Sequence, residues 1–177
     1  MTVAEPLRAE HAVLLPRVRA LRVLADGIDG STVADLLPEL DEVNALLVNE
    51  ILPHAMAEDR VLYPEIERIM AAPGATATMT LEHVEVERLT SKLTAIRDAL
   101  AEGGPLLSGR RTELRRILYG LYELLKLHMT KEEAVYAPLL DSHLDEAAGR
   151  RLFEAMHEVE LETRQAIDAF AEHETSA

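Results

Sequence analysis

Four histidines and two glutamates fall at spacings that could do chemistry together. His54 and Glu58 lie four residues apart in HAMAEDRVLYP, and His128 and Glu132 repeat that spacing in HMTKEEAVYAP. Each of these stretches ends on a proline, Pro64 or Pro138. Residues four apart on a helix project from adjacent turns of one face. Imidazole nitrogens and carboxylate oxygens on one face form a donor set for a metal ion. His11 and His83 complete the set, and each directly follows a glutamate, Glu10 or Glu82. The order is duplicated: Glu-His then His-x3-Glu in the first half, and the same in the second. His11 to His54 spans 43 positions and His83 to His128 spans 45.

A single histidine in an apolar register is more often a satisfied core residue than a ligand. Four together are harder to accommodate, because a buried unpaired polar ring costs on the order of 1–3 kcal/mol. A domain stable by roughly 5–15 kcal/mol does not absorb four such losses without compensation. A buried carboxylate with no cation nearby also tends to neutralise. Metal ions answer both demands at once. Two helix hairpins related by a pseudo-two-fold axis bring the four histidines to one level. The simplest filling is then two metals bridged by Glu58 and Glu132, about 3.5–4 Å apart by the usual two-metal geometry. Donors of this kind without thiolate suit iron or manganese, and admit zinc.

The elements that must position these groups are helices. Gly and Pro divide the chain into five amphipathic stretches with inward residues at alternating spacings of three and four. The first, from about Val3 to Ala25, turns Leu7, His11, Leu14, Val18, Leu21 and Ala25 inward. The second starts near Ser31 as N-cap, runs to about Met70, and carries Leu40, Val43, Leu47, Ile51, His54, Glu58 and Leu62. The third carries Met79, His83, Val86, Thr90, Leu93, Ile96 and Leu100. The fourth follows Ser108 with Leu114, Ile117, Leu121, Leu124, His128, Glu132, Val135 and Leu139. The fifth, from about Asp145 to Glu172, carries Leu152, Met156, Val159, Ile167 and Phe170. No stretch alternates with period two. The expected fold is all-α, an antiparallel up-down-up-down four-helix bundle with an additional C-terminal fifth helix. One domain covers residues 1–177, with the bundle and its metal site in 1–143 and the appended helix in 144–177. That helix covers one side of the bundle or meets a partner, a second copy of the chain included. Pro16, Pro38, Pro53, Pro64 and Pro138 fall inside helical stretches and are expected to kink them. Pro53 either re-aims His54 through a kink or separates two shorter helices.

Composition narrows the function classes. A formal charge of −14 with no basic stripe argues against nucleic acid; RRTELRR (110–116) is a solvated helix face. The absence of cysteine excludes disulfides, thiolate catalysis and iron–sulfur ligation. No apolar run approaches the roughly 20 residues of a membrane span. MTVAEPLRAEH lacks the apolar stretch of a secretory leader, so a cytoplasmic protein is expected. Aromatic residues are only 3%, so the core must be aliphatic, which favours helices packed on helices.

The pattern H…HxxxE…H…HxxxE, with acidic tails in HAMAED and HMTKEE, resembles the hemerythrin-like, or HHE cation-binding, domains over about residues 7 to 140. The resemblance implies a non-heme centre of two iron ions (Fe2+/Fe3+) inside a four-helix bundle. His11, His54, His83 and His128 would be terminal nitrogen ligands. Glu58 and Glu132 would bridge the irons beside an oxo or hydroxo group. Oxygen-carrying hemerythrins have a second histidine four residues after the third-helix histidine, where this chain has Glu87. Their last carboxylate follows the final histidine by five residues, the position of Glu133. Four histidines with two glutamates is closer to the hemerythrin-like domains of iron-sensing and iron-centre-repair proteins, which points away from reversible oxygen carriage.

Glu87 is read either as a seventh ligand that hardens the site or as a surface residue of EHVEVER. Tyr63 and Tyr136, beyond the two ligand glutamates, either donate hydrogen bonds to the site or pack at the bundle edge. Glu50, one turn before His54, either orients that ligand or is solvated. His143, His157 and His173 are left out of the ligand set. Three functions fit. The first is a module that binds or senses oxygen, nitric oxide or iron. The second is a redox enzyme that acts on peroxide or activates oxygen. The third is a metal-free bundle with a polar histidine network, acting through its fifth helix.

Overall fold

Proline chemistry shapes the helices that carry the site. A proline lacks the N–H of the i→i−4 bond, and its ring crowds the carbonyl four residues back. Three times the chain answers by widening one turn instead of breaking. The N–H of Leu52, just before Pro53, bonds to the carbonyl of Leu47; Tyr63, before Pro64, bonds to Glu58; Ala137, before Pro138, bonds to Glu132. Each is a five-residue π turn, at Leu47–Ile51, Glu58–Leu62 and Glu132–Tyr136. Pro53 therefore does not divide its helix: helical turns continue without a gap from Val33 to Met70.

The computed structural model describes residues 2–175, with side chains described for 2–169. The helices are α1 (Glu5–Gly27), α2 (Val33–Leu46), α3 (Leu52–Ala57), α4 (Tyr63–Met70), α5 (Ala77–Ala101), α6 (Ser108–Lys131), α7 (Ala137–His143) and α8 (Glu146–Thr175). The π turns splice α2, α3 and α4 into one long arm and α6 with α7 into another. Four arms result, joined by short connections, and α8 follows. Among the described residues there is no strand. Thr32, not Ser31, caps α2: its hydroxyl accepts from the Asp35 amide while the Asp35 carboxylate accepts from the Thr32 amide.

Each arm packs on two others: α1 on α2 and α6, and α5 on α2 and α6. This closed ring of neighbours makes a helical bundle. Its core lies in two apolar layers. Leu14, Val18, Leu47, Ile51, Val86 and Leu121 belong to the larger one. Leu7, Leu62, Ile66, Met79, Tyr136 and Leu140 belong to the smaller. On α1 the order is small layer, His11, large layer. On the second arm it is large layer, His54 and Glu58, small layer. The same reversal separates α5, with His83, from α6–α7, with His128 and Glu132. Successive arms thus meet the layers in opposite order, and all six chemical residues fall between the layers.

The expected inward residues of the first three arms are all buried. The fourth departs from expectation. Val135 is 55% exposed, Leu124 and Leu139 are half-buried, and Leu125, Tyr136, Ala137 and Leu140 face inward. The extra residue in the Glu132–Tyr136 turn rotates the following face by about 100°. A strict three-four spacing does not anticipate that slip.

α8 packs against α3 and the Glu58–Leu62 turn. Leu152 and Met156 are buried there, while Val159 and Ile167 are half-buried. The expected inward Phe170 lies outside the described side chains. No helix among the described residues is long and apolar enough to cross a membrane.

α4 ends on Ala71 in the left-handed region, φ 50°. The following amide, Ala72, reaches back to the Glu67 carbonyl at 3.1 Å. A Cβ in this conformation costs roughly 1–2 kcal/mol, part of which glycine returns to unfolded-chain entropy. Ala71→Gly is expected to stabilise by about 0.5–1 kcal/mol. Thermal unfolding at fixed pH should show a rise of about 1–4 °C.

Candidate metal centre

The two glutamates at the heads of the π turns are the hub. Glu58 and Glu132 are fully buried, as is His11; His54, His83 and His128 are nearly so. Glu58 Oε1 faces one imidazole pair, 2.9 Å from His54 Nε2 and 3.9 Å from His11 Nε2. Its Oε2 faces the other pair, 3.3 Å from His83 Nε2 and 3.7 Å from His128 Nε2. Glu132 divides its oxygens the same way, with Oε2 3.4 Å from His11 Nε2 and Oε1 3.5 Å from His128 Nε2. Two clusters of converging donors follow, His11–His54–Glu58–Glu132 and Glu58–His83–His128, each with donor atoms within 4.8 Å of one another. Glu58 belongs to both.

Five polar atoms that face the centre have no hydrogen bond: His11 Nε2, His54 Nε2, both oxygens of Glu58 and Glu132 Oε2. At on the order of 1–3 kcal/mol each, this deficit is too large for protein contacts alone. A metal cation satisfies imidazole nitrogens and carboxylate oxygens together. The donor set therefore fits a metal, and contains no thiolate.

A second ring of carboxylates stands behind the imidazoles. Glu10 Oε1 lies 3.2 Å from His54 Nδ1, Asp59 Oδ2 3.1 Å from His83 Nδ1, Glu82 Oε2 2.9 Å from His128 Nδ1, and Glu133 Oε1 3.4 Å from His11 Nδ1. Each of the four adjoins one of the six buried residues in sequence but faces a histidine on another arm. One residue along a helix is a rotation of about 100°, which aims the side chain at the neighbouring arm. Such partners fix the imidazole tautomer so that Nε2 offers its lone pair. The sequence reading missed these roles, although the signal was present in the doublets Glu10-His11, Glu58-Asp59, Glu82-His83 and Glu132-Glu133. A fifth carboxylate, Glu160 of α8, lies 3.8 Å from His54 Nδ1 and carried no comparable signal.

The other candidates fall into place. Tyr63 is buried at the site: its hydroxyl donates to Glu132 Oε1 at 2.7 Å and lies 3.1 Å from His128 Nε2. Tyr136 packs edge-on against Tyr63. Glu87 is not brought to the cluster. The inward line of α5 steps from His83 to Val86 and Thr90, which leaves Glu87 on the exposed flank. Glu133 sits behind His11 and is partly exposed. Glu50 is held by Arg17. His143 is exposed at the end of α7, and His157 is exposed on α8. The side chain of His173 lies outside those described.

Burial alone would keep the His54 ring neutral, but Glu58, Glu10 and Glu160 outweigh it and hold its pKa well above the ordinary value. Burial opposes charge on His128 as well, and Glu132 and Glu58 still raise it to about 10. Burial works against the Glu58 carboxylate too, yet His54 and the neighbouring rings hold its pKa well below the usual range. Without a metal, the carboxylates thus favour the protonated rings of His54, His83 and His128.

Two expectations follow from this balance. Cations must displace imidazole protons, so affinity should rise with pH by up to about tenfold per unit per proton released. Calorimetric titration in buffers of different ionisation enthalpy reads that release. A raised histidine pKa stabilises the fold fully below about 6.5, a benefit lost as pH climbs through about 10. The metal-free protein should therefore lose melting temperature over that window, while the metal-loaded protein should lose little. Glu58→Ala should cut the metal bound per chain by half or more, since both clusters share Glu58. Glu87→Ala and His143→Ala should leave it unchanged.

The model of the Hemerythrin HHE cation binding domain matches residues 2–140 and again residues 74–177. Comparison with curated proteins and with solved structures gives no match. The second span begins just ahead of the Glu82-His83 pair, as the duplicated sequence order leads one to expect. The four-armed bundle, its buried histidine and glutamate clusters and these two matches together place the chain in the hemerythrin HHE cation-binding domain family.

Proposed function

We propose that the chain holds two iron ions, one in each imidazole pair, and uses them to bind or sense a small ligand such as oxygen or nitric oxide. The observation that carries this reading is Glu58, whose two oxygens point separately at the two pairs. Glu132 repeats the division. A single central ion would leave half of these donors without a partner. His11, His54, His83 and His128 supply the terminal nitrogens in this reading, and Glu58 and Glu132 the bridges. Manganese or zinc suits the same donors. Iron would supply the electrons and the open coordination position that a small oxidising ligand needs.

The protein's own contribution is a dry, pre-set cage with one proton placed in it. Apolar layers on both sides keep bulk water away from the six residues. The outer carboxylates face each Nδ1, which favours a proton there and leaves each Nε2 to the centre. Tyr63 keeps its proton, because burial and the charges of Glu58 and Glu132 push its pKa far up. Its hydroxyl is therefore a neutral donor aimed at Glu132 Oε1. Glu87 stays at the surface and adds no carboxylate to the centre.

The Tyr63 hydroxyl also favours a second reading, a redox enzyme acting on peroxide or activating oxygen. Such chemistry consumes protons, and a positioned donor contributes typically about 10²–10⁴-fold. Stopped-flow mixing of the reduced, iron-loaded protein with oxygen and with peroxide separates the two. A persistent spectral change with oxygen, without turnover, supports the binding module. Many peroxide turnovers per chain, reduced at least about tenfold in Tyr63→Phe at unchanged iron content, support the enzyme.

A further inference from the structure

α8 lies outside the duplicated pattern, yet it reaches the centre. Three of the ligand histidines have one carboxylate near Nδ1, always from a bundle arm. His54 has two: Glu10 at 3.2 Å and Glu160, from α8, at 3.8 Å. Glu160 is 6% exposed, whereas Glu10 is half-buried. A carboxylate is seldom buried unless partnered, because desolvation costs several kcal/mol. Arg164, one turn on, approaches Glu160 Oε2 at 3.5 Å, and the exposed His157 stands at 4.0 Å from the same oxygen. Glu160 is thus pinned on one oxygen and turned toward the ligand ring with the other. The body of α8 rests on α3, which carries His54, and on the turn that begins with Glu58.

We infer that Glu160 is a positioning residue for His54, through which α8 docking and cation occupancy of the His11/His54 cluster favour each other. This rests on the metal reading of the centre given above. A ring that ligates through Nε2 must present its proton at Nδ1. With α8 docked, Glu160 adds a second negative charge facing that nitrogen, at 3.8 Å beside Glu10 at 3.2 Å, which favours the tautomer with its proton on Nδ1. With α8 displaced, the ring keeps only Glu10. Coupling is reciprocal: whatever α8 docking adds to cation affinity, the cation returns to α8 docking. The helix thereby becomes the element whose docking reports whether this half of the centre is filled.

The test is amide hydrogen exchange of the full chain, metal-free and after anaerobic loading with ferrous iron, in wild type and Glu160→Gln, with iron content measured on each sample. In the wild type, iron should slow exchange across Leu152–Thr163 by about tenfold, within the usual range of coupling. In Glu160→Gln the iron-induced slowing should fall to about threefold or less. A purely structural role would lower protection of α8 equally with and without iron, and that result overturns the coupling. Arg164→Gln removes the cation that pins Glu160 from a partly exposed position; it should give an intermediate slowing, and a wild-type value would count against the account. Glu162→Gln, exposed on the same helix, should match the wild type. Wild-type protein that takes up no iron overturns the metal reading and this inference with it. Normal iron uptake with undiminished slowing in Glu160→Gln overturns this inference alone.

Discussion

Two buried carboxylates facing four imidazoles are the constraint around which the rest of the structure is arranged. In water such groups are fully solvated. Between two apolar layers they must satisfy one another, take up protons or hold cations. The approaches of Glu58 and Glu132 to the four rings, with five polar atoms facing the centre left without hydrogen bonds, show that protein contacts alone do not meet the demand. The bundle accepts this local deficit because its stability comes from the apolar layers above and below. The cluster occupies the gap between them.

The π turns connect proline chemistry to this site. Glu58 and Glu132 each open a widened turn that ends just before a proline. The same turn that accommodates Pro64 brings the neighbours Leu62 and Tyr63 both inward, so that Tyr63 meets Glu132 from across the bundle. In the fourth arm the corresponding slip turns Tyr136 and Ala137 inward and leaves Val135 in solvent. A proline that looks like a defect in a helix here resets the face presented below the site.

Much of this was legible in the chain. The spacing of His54 to Glu58 and of His128 to Glu132, and the apolar stripes around them, located the six inward donors and three complete helix faces. Legibility stopped where a regular helical period stops. The fourth face was misread after Glu132 because hydrophobic periodicity assumes one rotation per residue, and a π turn adds a residue. Glu87 was counted as a candidate because a spacing of four usually shares a face; the α5 stripe takes a step of three at that point. Pairings between arms were also out of reach. That Glu10 serves His54, not its neighbour His11, depends on how two helices meet. Glu160 shows the limit most plainly, since nothing in the local sequence links α8 to His54, some hundred residues earlier.

The inner donors, the carboxylates behind them and the π turns form one assembly in which the same pairings recur in both halves of the chain, with Tyr63 and Glu160 as additions that do not recur. Its central claim is that two cations occupy the space between the imidazole pairs. Anomalous difference density, recorded at the iron edge from crystals of protein purified without added metal, tests this most directly. The account predicts two peaks, one beside His11 and His54 and one beside His83 and His128, both in contact with Glu58. A single central peak, or ordered water alone between the rings, would contradict it.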